Sequence, residues 1–116
     1  MASRVMLVKR ILQNLGVWQA GQDLPAEDYQ VVNEGLPYSL LAMNRANVFN
    51  HTDPENIPDD ALIPLAAYIA QDYILPFGLS GEEKDDVIEA AAGGETALRF
   101  MRVMDSTNEP VRIQSF

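Results

Sequence analysis

The sequence predicts an all-α fold: a small bundle of about four helices followed by an extended C-terminal arm. In four segments, apolar residues recur at spacings of three and four, the pattern of an amphipathic helix. Stretches containing proline or glycine separate these segments, and only the C-terminal stretch alternates like a strand. With 116 residues, the chain fits one domain with a single modest core.

The first helix is predicted to begin after Ser3, a favourable N-cap, and to run to about Leu15. Gly16 follows as its C-terminal stop, because glycine accepts the left-handed conformation that ends many helices. The face predicted to be buried consists of Val5, Val8, Leu12 and Leu15.

The second helix is predicted to open at Pro25, since proline suits the first turn of a helix, and to fade by Asn47. Its pattern is interrupted at Gly35-Leu36-Pro37. Pro37 has no amide hydrogen to donate and crowds the carbonyl of Asn33, so a kink or a break is expected there. The predicted buried stripe is Tyr29, Val32, Leu36, Leu40 and Met43.

Residues 48–60 are predicted to form a loop, because they hold two prolines and several Asx residues. A third helix should run from about Asp60 to a stop at Pro76. Pro64 lies early enough in this helix to be tolerated with local distortion. The predicted buried stripe is Leu62, Leu65, Ala66, Ile69 and Tyr73.

The fourth helix is predicted to start at Ser80 and to end near Met104. Ser80-Gly81-Glu82-Glu83 matches a capping box, in which two side chains satisfy free amides of the first turn. Small residues from Ala90 to Gly94 should let another backbone approach closely, and the two glycines are a place where the helix can bend. The predicted inner face is Val87, Ala91, Gly94, Leu98 and Met101.

Composition excludes several classes of function. The formal net charge is −9, from 17 acidic and 8 basic residues, and the basic residues are scattered along the chain. A duplex-binding protein needs clustered Lys and Arg to displace counterions, so DNA binding is not expected. The chain has no cysteine, and no apolar run approaches a membrane span of roughly 18 residues.

We find no pattern of an active site, a metal site or a cofactor site. The single histidine, His51, lies in an acidic loop that lacks the spacing of a calcium loop, and no second imidazole is present. No serine has a nucleophile-elbow pattern, and AAAGGE lacks the lysine of a phosphate loop. Trp18 and Phe49 each lie beside a helix end, where they could either pack in the core or anchor an interface.

The order and spacing of these motifs resemble a known family. The first helix ends in Leu15-Gly16-Val17, a short loop leads to Pro25-Ala26-Glu27-Asp28, and a leucine-rich helix follows. Further on come Ile57-Pro58, the helix ALIPLAAYIAQDYILPFG, and a helix containing Ala97-Leu98-Arg99. Over nearly its full length the chain resembles the head-to-tail adaptors of tailed bacteriophages, especially the tail accessory, or packaged-DNA-stabilising, proteins of short-tailed phages.

This resemblance implies a structural protein of the virion neck, assembled in the host cytoplasm and not an enzyme. Copies, commonly twelve, would form a ring beneath the portal protein, help to retain packaged DNA and receive a downstream tail component. DNA would pass through the channel without specific binding, and no membrane would be involved. Residues 1–105 would be the adaptor domain and residues 106–116 a docking arm.

The resemblance implies that the arm docks on the portal assembly, where it can add a strand, and the alternative is a frayed terminus. Its side chains alternate, so Val111 and Ile113 would point one way and Arg112 and Gln114 the other, while Phe116 would anchor the end. A different class of function stays open beside the adaptor: a small acidic inhibitor, such as a DNA mimic that occupies a nucleic-acid-binding protein.

Overall fold

A computed structural model describes residues 2–51 and 53–107, without the side chains of residues 105–107. Within these residues the fold is all-α, as predicted, and strand pairing is limited to one antiparallel bridge between Ala2 and Ile57. The α-helices are α1 (Arg4–Leu15), α2 (Ala26–Arg45), α3 (Leu62–Ala70) and α4 (Gly81–Thr107). Two 3-10 turns, Asp59–Ala61 and Gln71–Tyr73, flank α3.

Helix α1 is capped as the sequence predicts. The backbone amide of Met6 donates to the Ser3 hydroxyl oxygen over 3.3 Å, and Gly16 ends the helix in the left-handed region with φ 77°. The predicted burial of Val5 is wrong, because 45% of this residue is exposed. The buried face is instead Leu7, Val8, Ile11, Leu12 and Leu15.

Helix α2 is continuous through Pro37, so of the kink or break expected there, the break does not occur. Pro37 deprives the Asn33 carbonyl of its usual helical donor. The Arg4 guanidinium takes that place: Nη2 donates to the carbonyl over 2.8 Å, and Nε donates to the Asn33 side chain over 2.7 Å. A side chain from α1 therefore compensates for the missing backbone hydrogen bond.

The buried stripe of α2 is close to the prediction, with Tyr29 partly buried and Ser39 added to the buried set. Ser39 donates to Asp72 Oδ2 over 3.1 Å. About two turns earlier, the Tyr73 hydroxyl donates to the Val32 carbonyl over 3.3 Å, and it occupies the space that a Cβ at Gly35 would need. Polar side chains thus connect α2 to the 3-10 turn after α3.

Helix α3 begins two residues before Pro64, so the proline lies in the first turn, where its missing amide hydrogen is not needed. The α-helix ends at Ala70, earlier than predicted, and the chain continues as the 3-10 turn Gln71–Tyr73. Of the predicted stripe, Leu65, Ala66, Ile69 and Tyr73 are buried, while Leu62 is partly buried against the core.

Helix α4 begins at Gly81, one residue after Ser80, and its inner face follows the prediction, with Met101 partly buried. Gly94 permits the expected close approach, since a Cβ there would lie 2.6 Å from the Pro64 carbonyl oxygen. The helix continues to Thr107, so residues 106 and 107 of the predicted arm are helical. Residues 108–116, including Val111, Arg112, Ile113, Gln114 and Phe116, lie outside the described part of the chain.

The helices pack around one core. Helix α1 contacts both α2 and α3, and α3 packs against α4. The N-terminal segment closes over the loop between α2 and α3, because Ala2 and Ile57 exchange two backbone hydrogen bonds of 2.8 and 2.9 Å. The largest fully buried side chains come from every helix and from this loop: Leu7, Ile11, Leu12, Leu36, Leu40, Met43, Ile57, Leu65, Ile69 and Leu98.

Candidate interaction surfaces

The acidic loop around His51 bonds mainly to itself. The Asp53 carboxylate accepts from the Asn56 side chain over 3.0 Å and from the Glu55 amide over 3.0 Å, while His51 Nε2 lies 2.9 Å from the Asp53 carbonyl oxygen. The bonds from Asn56 and Glu55, together with nearby His51, lower the pKa of Asp53. Across residues 2–51 and 53–107, no three His, Cys, Asp or Glu side chains are grouped to hold a metal ion.

Trp18 and Phe49 both lie in the hydrophobic core, with 9% and 6% of their surface exposed. The Trp18 indole N–H donates to the Gln22 carbonyl over 3.1 Å, and Lys9 Nζ lies 5.8 Å from the ring centroid. Of the two roles considered for Trp18 and Phe49, packing in the core accounts for the position of both side chains. Their use as interface anchors stays a prediction.

Asp72 is the carboxylate on the polar connection between α2 and the 3-10 turn after α3. Burial raises its pKa, and the hydrogen bond from Ser39 acts in the opposite direction. Burial likewise raises the pKa of the adjacent Tyr73. Ser39, Asp72 and Tyr73 thus form a hydrogen-bond network between α2 and the 3-10 turn after α3.

A shallow apolar groove runs along the contact between α3 and α4. It holds about 360 Å³, and its floor is formed mainly by small residues of α4. Ile63 stands on its α3 side with 62% of its surface exposed. The lining residues are Asp60, Ile63, Pro64, Ala67, Ala90, Gly93, Gly94, Ala97 and Met101.

The groove continues into a second pocket of about 390 Å³ toward the C-terminal end of α4. Asp60 and Met101 line both pockets, and Phe100, 65% exposed, stands at the second. The remaining lining residues are Phe49, Pro58 and Met104. We refer to the two pockets together as the α3–α4 groove.

A second exposed apolar surface lies on α2. Val31, Tyr38 and Leu41 are 44%, 75% and 41% exposed. At 100° per residue they fall within a sector of about 80°, opposite the buried stripe, and Arg45 falls in the same sector. We refer to Val31, Tyr38, Leu41 and Arg45 as the α2 stripe.

Sequence reasoning missed both surfaces, because it assigned each helix one apolar face. The available signal was apolar residues off the buried face, such as Tyr38 on α2 and Phe100 on α4. A second signal was the glycine pair. Only Gly94 is needed for packing against α3, since a Cβ at Gly93 would meet no atom within 4 Å.

Acidic side chains are concentrated at the start of α4. Glu82, Glu83, Asp85, Asp86 and Glu89 are all exposed there. Residues at this end of a helix interact favourably with its dipole, which accounts for the placement of the first acids. The later ones extend the negative surface along α4 toward the α3–α4 groove.

Comparison with known proteins returns no relative. No protein-family model matches the chain, and no curated protein or solved structure matches it. Among the described helices, none is both long enough and apolar enough to cross a membrane.

Proposed function

We propose that the chain is a structural head-to-tail adaptor of a tailed bacteriophage. Copies form a ring, commonly of twelve, beneath the portal protein, extend the DNA channel, help to retain packaged DNA and present a surface to the next tail component. The protein works in the neck of the virion and is not an enzyme. The motif order and spacing described above motivate this proposal.

The observation that carries the proposal is the length of α4 after its last fully buried residue, a part in which Met101 still packs partly against the core. Leu98 is the last fully buried residue of the helix, and residues 99–107 continue for about 14 Å of helix at 1.5 Å per residue. In this part of α4, Phe100 and Val103 are 65% and 53% exposed. An adaptor needs such an element, because its C-terminal arm must leave the body to reach another ring.

The charge distribution is compatible with a DNA channel. The net charge is −9, and the exposed acids at the start of α4 repel phosphate. DNA moving through a ring must not adhere to it, so a negative surface suits passage better than a basic one. The proposal therefore includes no specific contact with DNA.

The test is assembly with a portal protein. The gene should lie beside a portal gene, and the two proteins should be purified together and imaged by electron microscopy. We expect a ring of this chain on one face of the portal ring. Deletion of residues 106–116 should leave the helicity of the body unchanged and abolish attachment. Full attachment of the truncated chain would rule out the docking arm, and no attachment of the intact chain would rule out the adaptor.

The exposed acids of α4 also favour a second candidate, an acidic inhibitor that mimics DNA. Such a protein presents carboxylates in place of phosphates to a basic partner. Charge reversal at Asp85 and Asp86 (Asp85→Lys with Asp86→Lys) separates the two functions. An inhibitor should lose its partner after this change, whereas portal attachment through the arm should persist.

A further inference from the structure

We propose that the outer face of α2 pairs with the same face of a second copy of the chain, in the antiparallel direction. This face adds two exposed glutamates to the α2 stripe, and we refer to the whole set as the α2 seam: Glu27, Val31, Glu34, Tyr38, Leu41 and Arg45. A contact that pairs one face with itself is closed by a two-fold axis, so it cannot join neighbours within a ring. The dimer therefore belongs to the free protein and does not depend on the adaptor function.

The spacing of the α2 seam is that of a coiled-coil contact. Its residues are separated alternately by four and three positions, which gives the period of 3.5 at which two helices stay in contact along their length. At 100° per residue, all of them fall within a sector of about 80°. Helix α2 is continuous through Pro37, so both halves of the seam lie on one helix. The buried stripe is on the opposite side of α2, and the seam faces away from the core.

The order of charges along the seam selects an antiparallel second copy as the occupant. Glu27 and Arg45 are the first and last residues of the seam, and both are equally far from position 36. When two copies run in opposite directions about this position, Glu27 of each copy faces Arg45 of the other. The contact then has an ion pair at each end. A parallel pair would set glutamate against glutamate and arginine against arginine, which is unfavourable.

The same register also matches the residues between these charges. Val31 and Leu41 are equally far from position 36, so they cover one another in both halves of the contact. Glu34 faces Tyr38, whose hydroxyl can donate to the carboxylate. Within each copy, Glu34 also accepts from the Gln30 side chain over 2.8 Å. In this register no carboxylate of the seam faces another carboxylate.

Repulsion between copies limits the expected strength of the dimer. The net charge of −9 is spread over the whole chain, and salt at physiological ionic strength screens exposed charges that lie more than about 8 Å apart. Charges that face one another across the seam are closer and interact more strongly. Three exposed apolar side chains per copy bury far less than a standard interface. We therefore expect a weak dimer that forms at high protein concentration.

The chain has no cysteine, so single cysteines can test the register. One preparation carries Val31→Cys and a second carries Leu41→Cys, and each is oxidised alone and after mixing. A disulfide needs Cα atoms about 4.4–6.8 Å apart. In the proposed register these two positions face each other, whereas identical positions lie ten helical steps apart, which is about 15 Å along the axis. We expect a disulfide-linked dimer in the mixture only.

Three results of the oxidation experiment would overturn the proposal. They are an equal yield of dimer from either variant alone, no dimer in the mixture, and linkage of Tyr38→Cys to Leu41→Cys instead. The last result would indicate a register shifted by one heptad, in which Val31 has no partner.

The ion pairs provide a second test, in which net charge and pairing predict opposite results. Glu27→Arg changes the net charge from −9 to −7, because an acid becomes a base. Reduced general repulsion would strengthen self-association, whereas in the proposed register the new arginine faces Arg45 of the second copy. We expect Glu27→Arg to weaken self-association about tenfold, measured by sedimentation velocity at several concentrations. Unchanged or stronger association, or a parent that stays monomeric up to about 1 mM, would contradict the proposal.

The matched variant is Arg45→Glu, which should also weaken self-association. A mixture of Arg45→Glu with Glu27→Arg should regain it, because opposite charges then face each other at both ends of the contact. Each substitution places an unfavourable charge at a helix end, so circular dichroism of each variant must show the helicity of the parent. No gain of association on mixing the two folded variants would overturn the pairing of Glu27 with Arg45.

Discussion

The helical pattern of each long helix is interrupted by glycine, and the rest of the chain contacts the two interruptions in different ways. In α2 the interruption is Gly35-Leu36-Pro37, and hydrogen-bonding side chains from other segments converge on it. In α4 it is Gly93-Gly94, where the backbone of α3 comes close to Gly94. The first contact is made by hydrogen bonds from side chains, and the second by close packing of backbone, with the Pro64 carbonyl oxygen and the Tyr68 amide nitrogen among the atoms nearest to Gly94.

This difference shows that an interruption in a helix can be the position at which another segment bonds or packs. Pro37 leaves the Asn33 carbonyl available, and Arg4 uses it to tie α1 to α2. Gly94 removes a side chain, and the Pro64 carbonyl occupies the space. Hydrogen bonds depend on a matched donor and acceptor, whereas close packing depends on volume, so different substitutions should disrupt the two contacts.

The largest effect on the free energy of unfolding is expected at Leu98, which is fully buried on α4. Leu98→Ala should lower the free energy of unfolding by about 2–5 kcal/mol, because it removes buried methyl groups and leaves a cavity. The matched control is Phe100→Ala on the exposed side of the same helix, which should change stability by less than about 0.5 kcal/mol. Denaturant unfolding of both variants measures the difference, and similar losses would show that α4 is not packed as described.

Arg4→Ala should lower the free energy of unfolding by about 1–3 kcal/mol, since it leaves the Asn33 carbonyl without its donor. Pro37→Ala supplies a backbone amide that can bond to this carbonyl. In the Pro37→Ala background, the loss caused by Arg4→Ala should therefore be smaller. A double-mutant cycle measures this coupling. Strictly additive effects would mean that Arg4 does not substitute for the missing hydrogen bond.

The glycine pair should give effects of opposite sign. Gly94→Ala should destabilise the fold by about 1–2 kcal/mol, because the 2.6 Å approach to the Pro64 carbonyl outweighs the gain in helix propensity. Gly93→Ala should stabilise it by about 0.5–1 kcal/mol, since its Cβ meets nothing. Thermal melts of the two variants provide the comparison. Equal shifts would remove the distinction between the glycines.

The smallest effect concerns the pH dependence of stability that arises from Asp72, which bonds to Ser39 of α2. Its folded-state pKa is raised by burial, so the folded chain holds a proton on this carboxyl at pH values where the unfolded chain has released it. Stability from this group is therefore lost as pH rises from the ordinary carboxyl range through the raised pKa. Asp72→Asn should remove that part of the pH dependence.

Ser39→Ala is the control for this prediction, because the Ser39 hydroxyl lowers the pKa of Asp72. Its removal should move the loss of stability to higher pH. The measurement is the free energy of unfolding across the acidic range for the parent and both variants. A parent profile identical to that of Asp72→Asn would show that Asp72 titrates equally in both states.

Local patterns predicted most of the helical framework. The Ser3 cap, the Gly16 stop and the inner face of α4 depend on residues within a few turns of one another, and all three were visible in the sequence. The continuity of α2 was not visible in the sequence, because Arg4, which donates to the Asn33 carbonyl, lies 29 residues away along the chain. The exposure of Val5 was missed for a related reason: the face that α1 buries depends on where α2 and α3 lie.

The candidate surfaces were less predictable than the fold. The shape of the α3–α4 groove depends on how two helices and a loop are placed relative to one another. The depth of its floor depends on which of the two glycines, Gly93 or Gly94, faces α3. The predicted arm lies mostly beyond Thr107, outside the described residues. The anchoring roles of Trp18 and Phe49 depend on a partner, so burial in the chain explains their packing without deciding those roles.

The position of Arg4 also bears on how fast the chain folds and unfolds. Its guanidinium joins α1 to Asn33 of α2 and to Glu55 of the following loop, at sequence separations of 29 and 51 residues. Contacts between such distant segments require large loops to close, and they form late when the rest of the nucleus is local. Interactions absent from the transition state affect unfolding rates more than folding rates. We therefore expect Arg4→Ala to raise the unfolding rate more than it lowers the folding rate.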